Sequence, residues 1–326
     1  MKHHYWEAPI VIYLFLGGLG GGIFFLSALF DLVVAPGSGA LFFAPVFFAL
    51  AALAVGCFFL VFELGQPPVF WRVFTTKTAI IKWGAVLLSV AMIFGFVWWL
   101  TYLPVLGWEW TYGIAAALEG ARGVTLAVAG IAGFGIMVYT GVMLSTLKAH
   151  AFWATPALPV LFTVSALSTA CAAIALSLGG ALQLEGMALL LAELIHEIVH
   201  TVDIVLVVAE IVVLLVMVLS FYGAGNVCAH EVATRWVRGK TAPLFWGGMV
   251  FGGLLLPLGL YVFGAGTAAS ALVAPWLVLC GGLLLRYLCV YSDERAPIPG
   301  ENRFWERLPK KDAAFLTAWK KDENLY

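Results

Sequence analysis

Apolar residues run along this chain in eight long stretches, near 8–34, 41–62, 80–103, 123–147, 155–178, 187–221, 243–264 and 268–291. Short polar segments separate them. About 20 apolar residues cross the hydrocarbon core of a bilayer as a helix, so each stretch predicts a transmembrane helix. The expected fold is an all-α membrane protein of eight transmembrane helices. Its expected arrangement is two four-helix bundles, 1–152 and 153–291, followed by a tail over 292–326. The first stretch exceeds the h-region of a signal peptide, about 7–15 residues, and only Lys2 gives its flank a fixed positive charge, so it is expected to stay as a helix. The sixth is too long for one crossing, and part of it should tilt or project into water.

Composition agrees. Hydrophobic residues make up 63% of the chain and charged residues 11%, with a mean hydropathy of +1.02; soluble domains carry about 25% charged residues. With a net charge of -1 and no basic stripe, no nucleic-acid partner is expected. Cys57, Cys171, Cys228, Cys280 and Cys289 are scattered through apolar runs without a C-x-x-C pair, and read as small buried hydrophobes. Of the 17 Lys and Arg, 15 fall in the N-terminus, the segments 63–79, 148–154 and 222–242, the tail, or just inside span three at Lys82. With eight spans these lie on one side. The exceptions are Arg122 opposite and Arg286 within the last span. The positive-inside rule then places both termini in the cytoplasm. Trp6, Trp71, Trp108 and Trp110 are among the tryptophans near span ends, where aromatic belts form. The tail carries an amphipathic segment, Arg303–Trp319, suited to docking a partner.

An ionisable side chain at a helix centre costs about 2.5–3.5 kcal/mol on insertion scales, so the sixth span stands out. Glu193, His196, His200, Asp203 and Glu210 fall within about 100° of one another on a helix. Their stripe extends over roughly 25 Å of axis. Alternating carboxylates and imidazoles suit a proton relay; an internal polar seam satisfied by neighbouring helices is the structural alternative. The same segment holds His196-Glu197-Ile198-Val199-His200, an H-E-x-x-H string. On a helix that pattern can place two imidazoles on zinc with Glu197 as base and Asp203 as a conceivable third ligand. Intramembrane proteolysis is therefore one alternative function, and a transporter or channel built on the stripe is another. No haem is expected, because His196 and His200 lie on one helix and no other His lies deep in a span.

Three further features carry candidate chemistry. Gly17-Gly18-Leu19-Gly20-Gly21-Gly22 lacks a preceding strand, so it is no dinucleotide fingerprint. It suits close helix packing through pairs such as Gly17 and Gly21, or a groove for a flat ring. Glu63 closes span two before Pro67 and Pro68, either at the water interface or as a proton acceptor for a ligand. Tyr139 in span four needs a partner for its hydroxyl, from protein or ligand.

Three segments stand out together: Tyr13-Leu14-Phe15-Leu16-Gly17-Gly18-Leu19, Glu63-Leu64-Gly65-Gln66-Pro67 with Phe70-Trp71-Arg72, and Tyr139-Thr140-Gly141-Val142-Met143-Leu144-Ser145. They resemble the NrfD/PsrC family, the quinol-interacting membrane subunit of polysulfide-reductase-type complexes. Phe152–Pro156, Ser165–Thr169, Asp203 with Glu210, and Leu284-Leu285-Arg286-Tyr287 add to the likeness, which covers about residues 9 to 310.

The resemblance implies a quinone or quinol as cofactor, with menaquinone the expected ring, and no haem or iron–sulfur cluster in the chain. It implies membrane lipid and a four-cluster ferredoxin-like iron–sulfur subunit as partners, alongside a molybdopterin, hydrogenase or multihaem cytochrome subunit. The setting would be the cytoplasmic membrane of a bacterium or archaeon. The ring site would involve Gly17, Gly18, Gly21, Glu63 and Tyr139. Apart from the resemblance, and on the angular clustering of span six, a proton path would use Glu193, His196, His200, Asp203 and Glu210, with Arg286 and no metal. The first helix lacks the Asn or His of some members, and its acid partner on the second helix is Glu63 where others have Asp.

Overall fold

The structure is a computed structural model, and it describes residues 8–36, 38–63, 72–75, 79–148, 150–179, 187–223, 227–264 and 266–293. Among these, eight helical spans are long and apolar enough to cross a membrane. α1 (Ala8–Leu29) continues through a π-helical turn, Phe30–Val34, and α2 (Phe43–Glu63) follows a 3-10 turn. Then come α3 (Ile80–Leu100), α4 (Glu109–Ser145), α5 (Ala157–Gly179), α6 (Met187–Gly223) and a short surface helix, α7 (Val227–Arg238). The seventh span joins a π-helical run, Leu244–Leu255, to α8 (Leu256–Phe263). The eighth joins Ala269–Val273, also π-helical, to α9 (Ala274–Val290). Pro257 and Pro275 stand just past the junctions where the π-helical runs pass into α8 and α9, and each removes one backbone N–H from its span.

Seven of the eight stretches fall close to their expected bounds. The fourth differs: α4 begins at Glu109, well before the expected 123. Glu119, Arg122 and the glycines at 113, 120 and 123 imitate a polar connection. Ala115-Ala116-Ala117-Leu118 favours helix, and Arg122 finds a counter-ion in the protein. α7 falls where the hydropathy pattern shows only a connection. Its Ala229, Val232, Ala233 and Trp236 are buried, and His230, Glu231 and Arg238 are exposed. α6 has 37 residues, about 55 Å at 1.5 Å per residue, which exceeds the roughly 30 Å hydrocarbon core.

α1 is the hub, packing against α2, α4, α5 and α9. Its glycines make that possible. Successive helical residues step by 100°, so Gly20, Gly21 and Gly22 turn toward three different neighbours. A Cβ on Gly20 would stand 2.8 Å from Leu53 of α2, one on Gly21 2.6 Å from the Gly133 carbonyl of α4, and one on Gly22 2.8 Å from the Ala166 carbonyl of α5. Two apolar clusters fill the interior, and both draw residues from either side of 152. The two halves of the chain therefore share their interior.

Both ends of the bundle are tied by polar contacts. At one, Arg122 donates to both oxygens of the buried Asp31 (2.8 and 2.6 Å), Tyr102 donates to the same carboxylate at 2.5 Å, and Trp98 donates to Tyr102 at 2.6 Å. Burial first, and then the Asp31 charge, pushes the Tyr102 hydroxyl up, so it stays a donor. At the other end Trp153 donates to the Cys289 carbonyl (2.7 Å), and Trp236 to the Ser292 hydroxyl (3.0 Å). These bolt the end of α9, from which the tail departs. The tail beyond residue 293, with its amphipathic segment, lies outside the described residues.

Candidate functional site

Two places in the bundle carry chemistry. The first gathers α1, α2, α3 and α4 near the ends that bear the N-terminus and the close of α2. Tyr13 of α1 is buried between Gly17 and Gly56: a Cβ on Gly17 would lie 3.9 Å from its ring, and one on Gly56 3.7 Å. Gly17 also faces Ile136 and Thr140 of α4 at 3.7 Å, an ordinary contact distance. Tyr139 precedes Thr140 on α4, and its ring fills the space that Gly84 of α3 leaves. Tyr139 is only 7% exposed, and its hydroxyl donates to the Met143 sulfur at 3.3 Å. A thioether is a weak acceptor. A ligand oxygen placed there would compete for that proton easily.

Glu63 closes α2 two turns after Gly56, a spacing that keeps one helix face. Its side chain lies outside the described residues. Of the expected ring-site positions, Gly17 therefore packs on α4 at Thr140, the residue after Tyr139, while the Tyr139 ring turns to Gly84 of α3. Gly18 and Gly21 are committed to packing. A Cβ on Gly18 would meet Ala166 at 3.2 Å and the Arg286 guanidinium at 3.4 Å, and Gly21 abuts Gly133. The structure adds Tyr13 and Gly84, which periodicity and motif do not mark as site residues. Tyr13 stands inside one of the family-like segments, but only packing shows it facing α2.

The second place lies along α6. Glu193 is exposed, His196 and His200 are half-buried, and Asp203 and Glu210 are 2% and 4% exposed. The stripe thus runs from the surface into the interior. Ser168 of α5 donates to one Asp203 oxygen (2.6 Å) and Tyr261 of α8 to the other (2.9 Å). The His200 ring stands edge-on to Tyr261, with centroids 4.7 Å apart, and its Nε2 lies 3.5 Å from the Ser270 hydroxyl.

Near Glu210 of α6, Arg286 forms a second node, donating to the Ser165 hydroxyl of α5 at 2.7 Å. Arg286 is fully buried and also donates to the carbonyls of Gly282 (2.8 Å) and Phe162 (3.3 Å). Among the described residues no carboxylate lies within 4 Å of it, and its Nε has no partner. The hydroxyls of α5 and Tyr261 are not among the expected stripe residues, because they sit on helices distant in sequence. Glu197 of the H-E-x-x-H string is exposed. Among the described residues no three His, Cys, Asp or Glu side chains gather to hold a metal.

Fold and interior together define a polytopic helical protein with charged groups buried at mid-bundle. The chain matches the family described as polysulphide reductase, NrfD, over residues 1–293, and it belongs to that family. Eight apolar spans in a member of this family make it a multi-pass membrane protein. It is similar to the protein NrfD of Escherichia coli strain K12, at 26% identity over 89% of this chain and 95% of the relative. It is also similar to the C component of the polysulfide reductase of Wolinella succinogenes, at 25% identity over 89% and 94%.

Proposed function

We propose that this chain is the quinol-interacting membrane subunit of a respiratory oxidoreductase complex, passing electrons between the quinone pool and an iron–sulfur subunit. One observation carries the reading. In a member of this family, the Tyr139 hydroxyl, one residue along α4 from the Thr140 that packs on Gly17, has among the described residues only a thioether for an acceptor. A relative bears the name of a polysulfide reductase component, in keeping with a subunit that works within a reductase complex. The charge distribution supports an N-in, C-in orientation, with partner docking through the tail over 292–326.

Oxidising a quinol to a quinone removes two electrons and two protons. The electrons leave to the iron–sulfur partner, and the protons need acceptors within hydrogen-bond reach. Tyr139 would donate to one ring oxygen and fix the ring. Glu63, on the Gly56 face of α2, would take a proton. A menaquinone head is the ring we assign. Quinol turnover by the assembled complex should fall in Glu63→Gln and in Tyr139→Phe; unchanged turnover in both would overturn the assignment.

A second reading rests on the buried charges of α6 and α9. Glu193, His196, His200, Asp203 and Glu210, with Arg286, would carry protons along the bundle. Buried ionisable groups in a membrane interior are a functional-site signal by default, and here they extend inward from an exposed carboxylate.

A further inference from the structure

We propose that Tyr261 is the positioning residue of Asp203, and that Asp203 communicates with the start of α6 through His200 rather than directly with Glu210. The inference deepens the proton reading and rests on it. Four residues at a helical i, i+4, i+7, i+11 register point along one face of α6: His196, His200, Asp203 and Val207, with Glu210 completing the row. Val207 is fully buried and apolar, so it interrupts the row between the two acids. Asp203 and Glu210 are seven residues apart, about 10 Å along the axis, too far for a direct proton transfer.

On the other side of Asp203, Tyr261 touches both Asp203 and His200. The Tyr261 hydroxyl donates to Asp203 at 2.9 Å, and the Tyr261 ring holds His200 edge-on at 4.7 Å. His200 is half-buried and reaches Ser270 at 3.5 Å. One turn nearer the start of α6, His196 is half-buried and Glu193, beyond it, is exposed. The other groups facing Asp203 are Ser168 and Cys171 on α5, with Glu210 and Arg286 beyond Val207. Both carboxylate oxygens are thus fixed by hydroxyl donors, one from α5 and one from α8.

The placement of Tyr261 on the chain is consistent with an adjustable contact. α8 has only eight residues, holds Pro257 in its first turn and follows a π-helical run of twelve. π-helical segments recur at functional sites. A small shift of α8 would lengthen the bond to Asp203 without disturbing the Ser168 bond on α5.

The test is infrared difference spectroscopy on the purified full chain in lipid nanodiscs. The Asp203 band, whether carboxyl or carboxylate, is identified as the one lost in Asp203→Asn. Tyr261→Phe keeps the ring beside His200 and removes only the hydroxyl, so it should move that band while the protein retains its unfolding temperature. Ser168→Ala should move it as well, whereas Val207→Leu should leave it in place. An Asp203 band unmoved by Tyr261→Phe would overturn the proposal, since a packing role alone leaves the band where it is. Proton uptake by the assembled complex in sealed vesicles is the second arm. Tyr261→Phe should slow it severalfold, and His200→Phe should do the same. If the band moves but wild-type vesicles take up no protons, the Tyr261–Asp203 contact stands and the proton reading fails. If uptake occurs and is insensitive to His200→Phe, the exit through His200 is wrong.

Discussion

Gly84 of α3 and Tyr139 of α4 share one volume: the phenol ring occupies the place where any side chain at 84 would begin. The ring is thereby held with its hydroxyl at the level of Met143, one turn away on the same helix. Gly84→Ala should push the ring from this seat while leaving every titratable group intact. A quinol-site inhibitor should then bind about tenfold more weakly, about 1.4 kcal/mol, without loss of folded protein. A titration of both proteins in the same detergent measures this, and equal affinities would detach Tyr139 from the site.

The glycines of α1 give a packing prediction. Gly21→Leu drives a side chain into the Gly133 carbonyl, already 2.6 Å from where a Cβ would be. Overpacking of this kind costs about 1–3 kcal/mol or more, so the unfolding temperature should drop by several degrees. Gly113→Leu, on the exposed start of α4 with nothing within 4 Å, should leave it nearly unchanged. Thermal unfolding in micelles distinguishes the two.

Asp31 and Arg122 form a part-buried pair, with side chains 0% and 24% exposed. Removing only the cation leaves the carboxylate buried with Tyr102 alone, so Arg122→Met should destabilise by about 3 kcal/mol. Arg122→Met with Asp31→Asn should recover most of that loss, because no unpaired charge remains. Denaturation of the single and double variants tests the cycle. Full loss in the double variant would mean that the contact works through shape alone.

Proton coupling is tested on α6. In sealed vesicles carrying the assembled complex, Asp203→Asn should lower proton movement per electron while quinol oxidation continues. Equal movement in wild type and variant would remove the stripe from the mechanism.

The eight spans were legible because an apolar run of about 20 residues has few alternatives to a crossing helix. The α6 stripe was legible for a related reason, since side chains at helical spacing on one element need no tertiary information. What the sequence hid depends on contacts between elements. Ser165, Ser168 and Tyr261 are ordinary membrane-helix residues until α5 and α8 pack beside Asp203 and Glu210. The early start of α4 was hidden by Arg122, whose charge reads as aqueous when its partner, Asp31, is 91 residues away. The glycine run allowed packing or a ring groove, and only the neighbours of each glycine separate Gly17, in ordinary contact, from Gly21, in tight backbone contact.

The most direct test of the central claim is a titration of the purified chain with a fluorescent quinol-site inhibitor, in wild type, Glu63→Gln and Tyr139→Phe, with zinc measured on the same samples. The account predicts saturable binding at one site per chain, weakened by both substitutions, in zinc-free protein. Saturable binding of equal strength in all three proteins, or stoichiometric zinc with no binding, would contradict it.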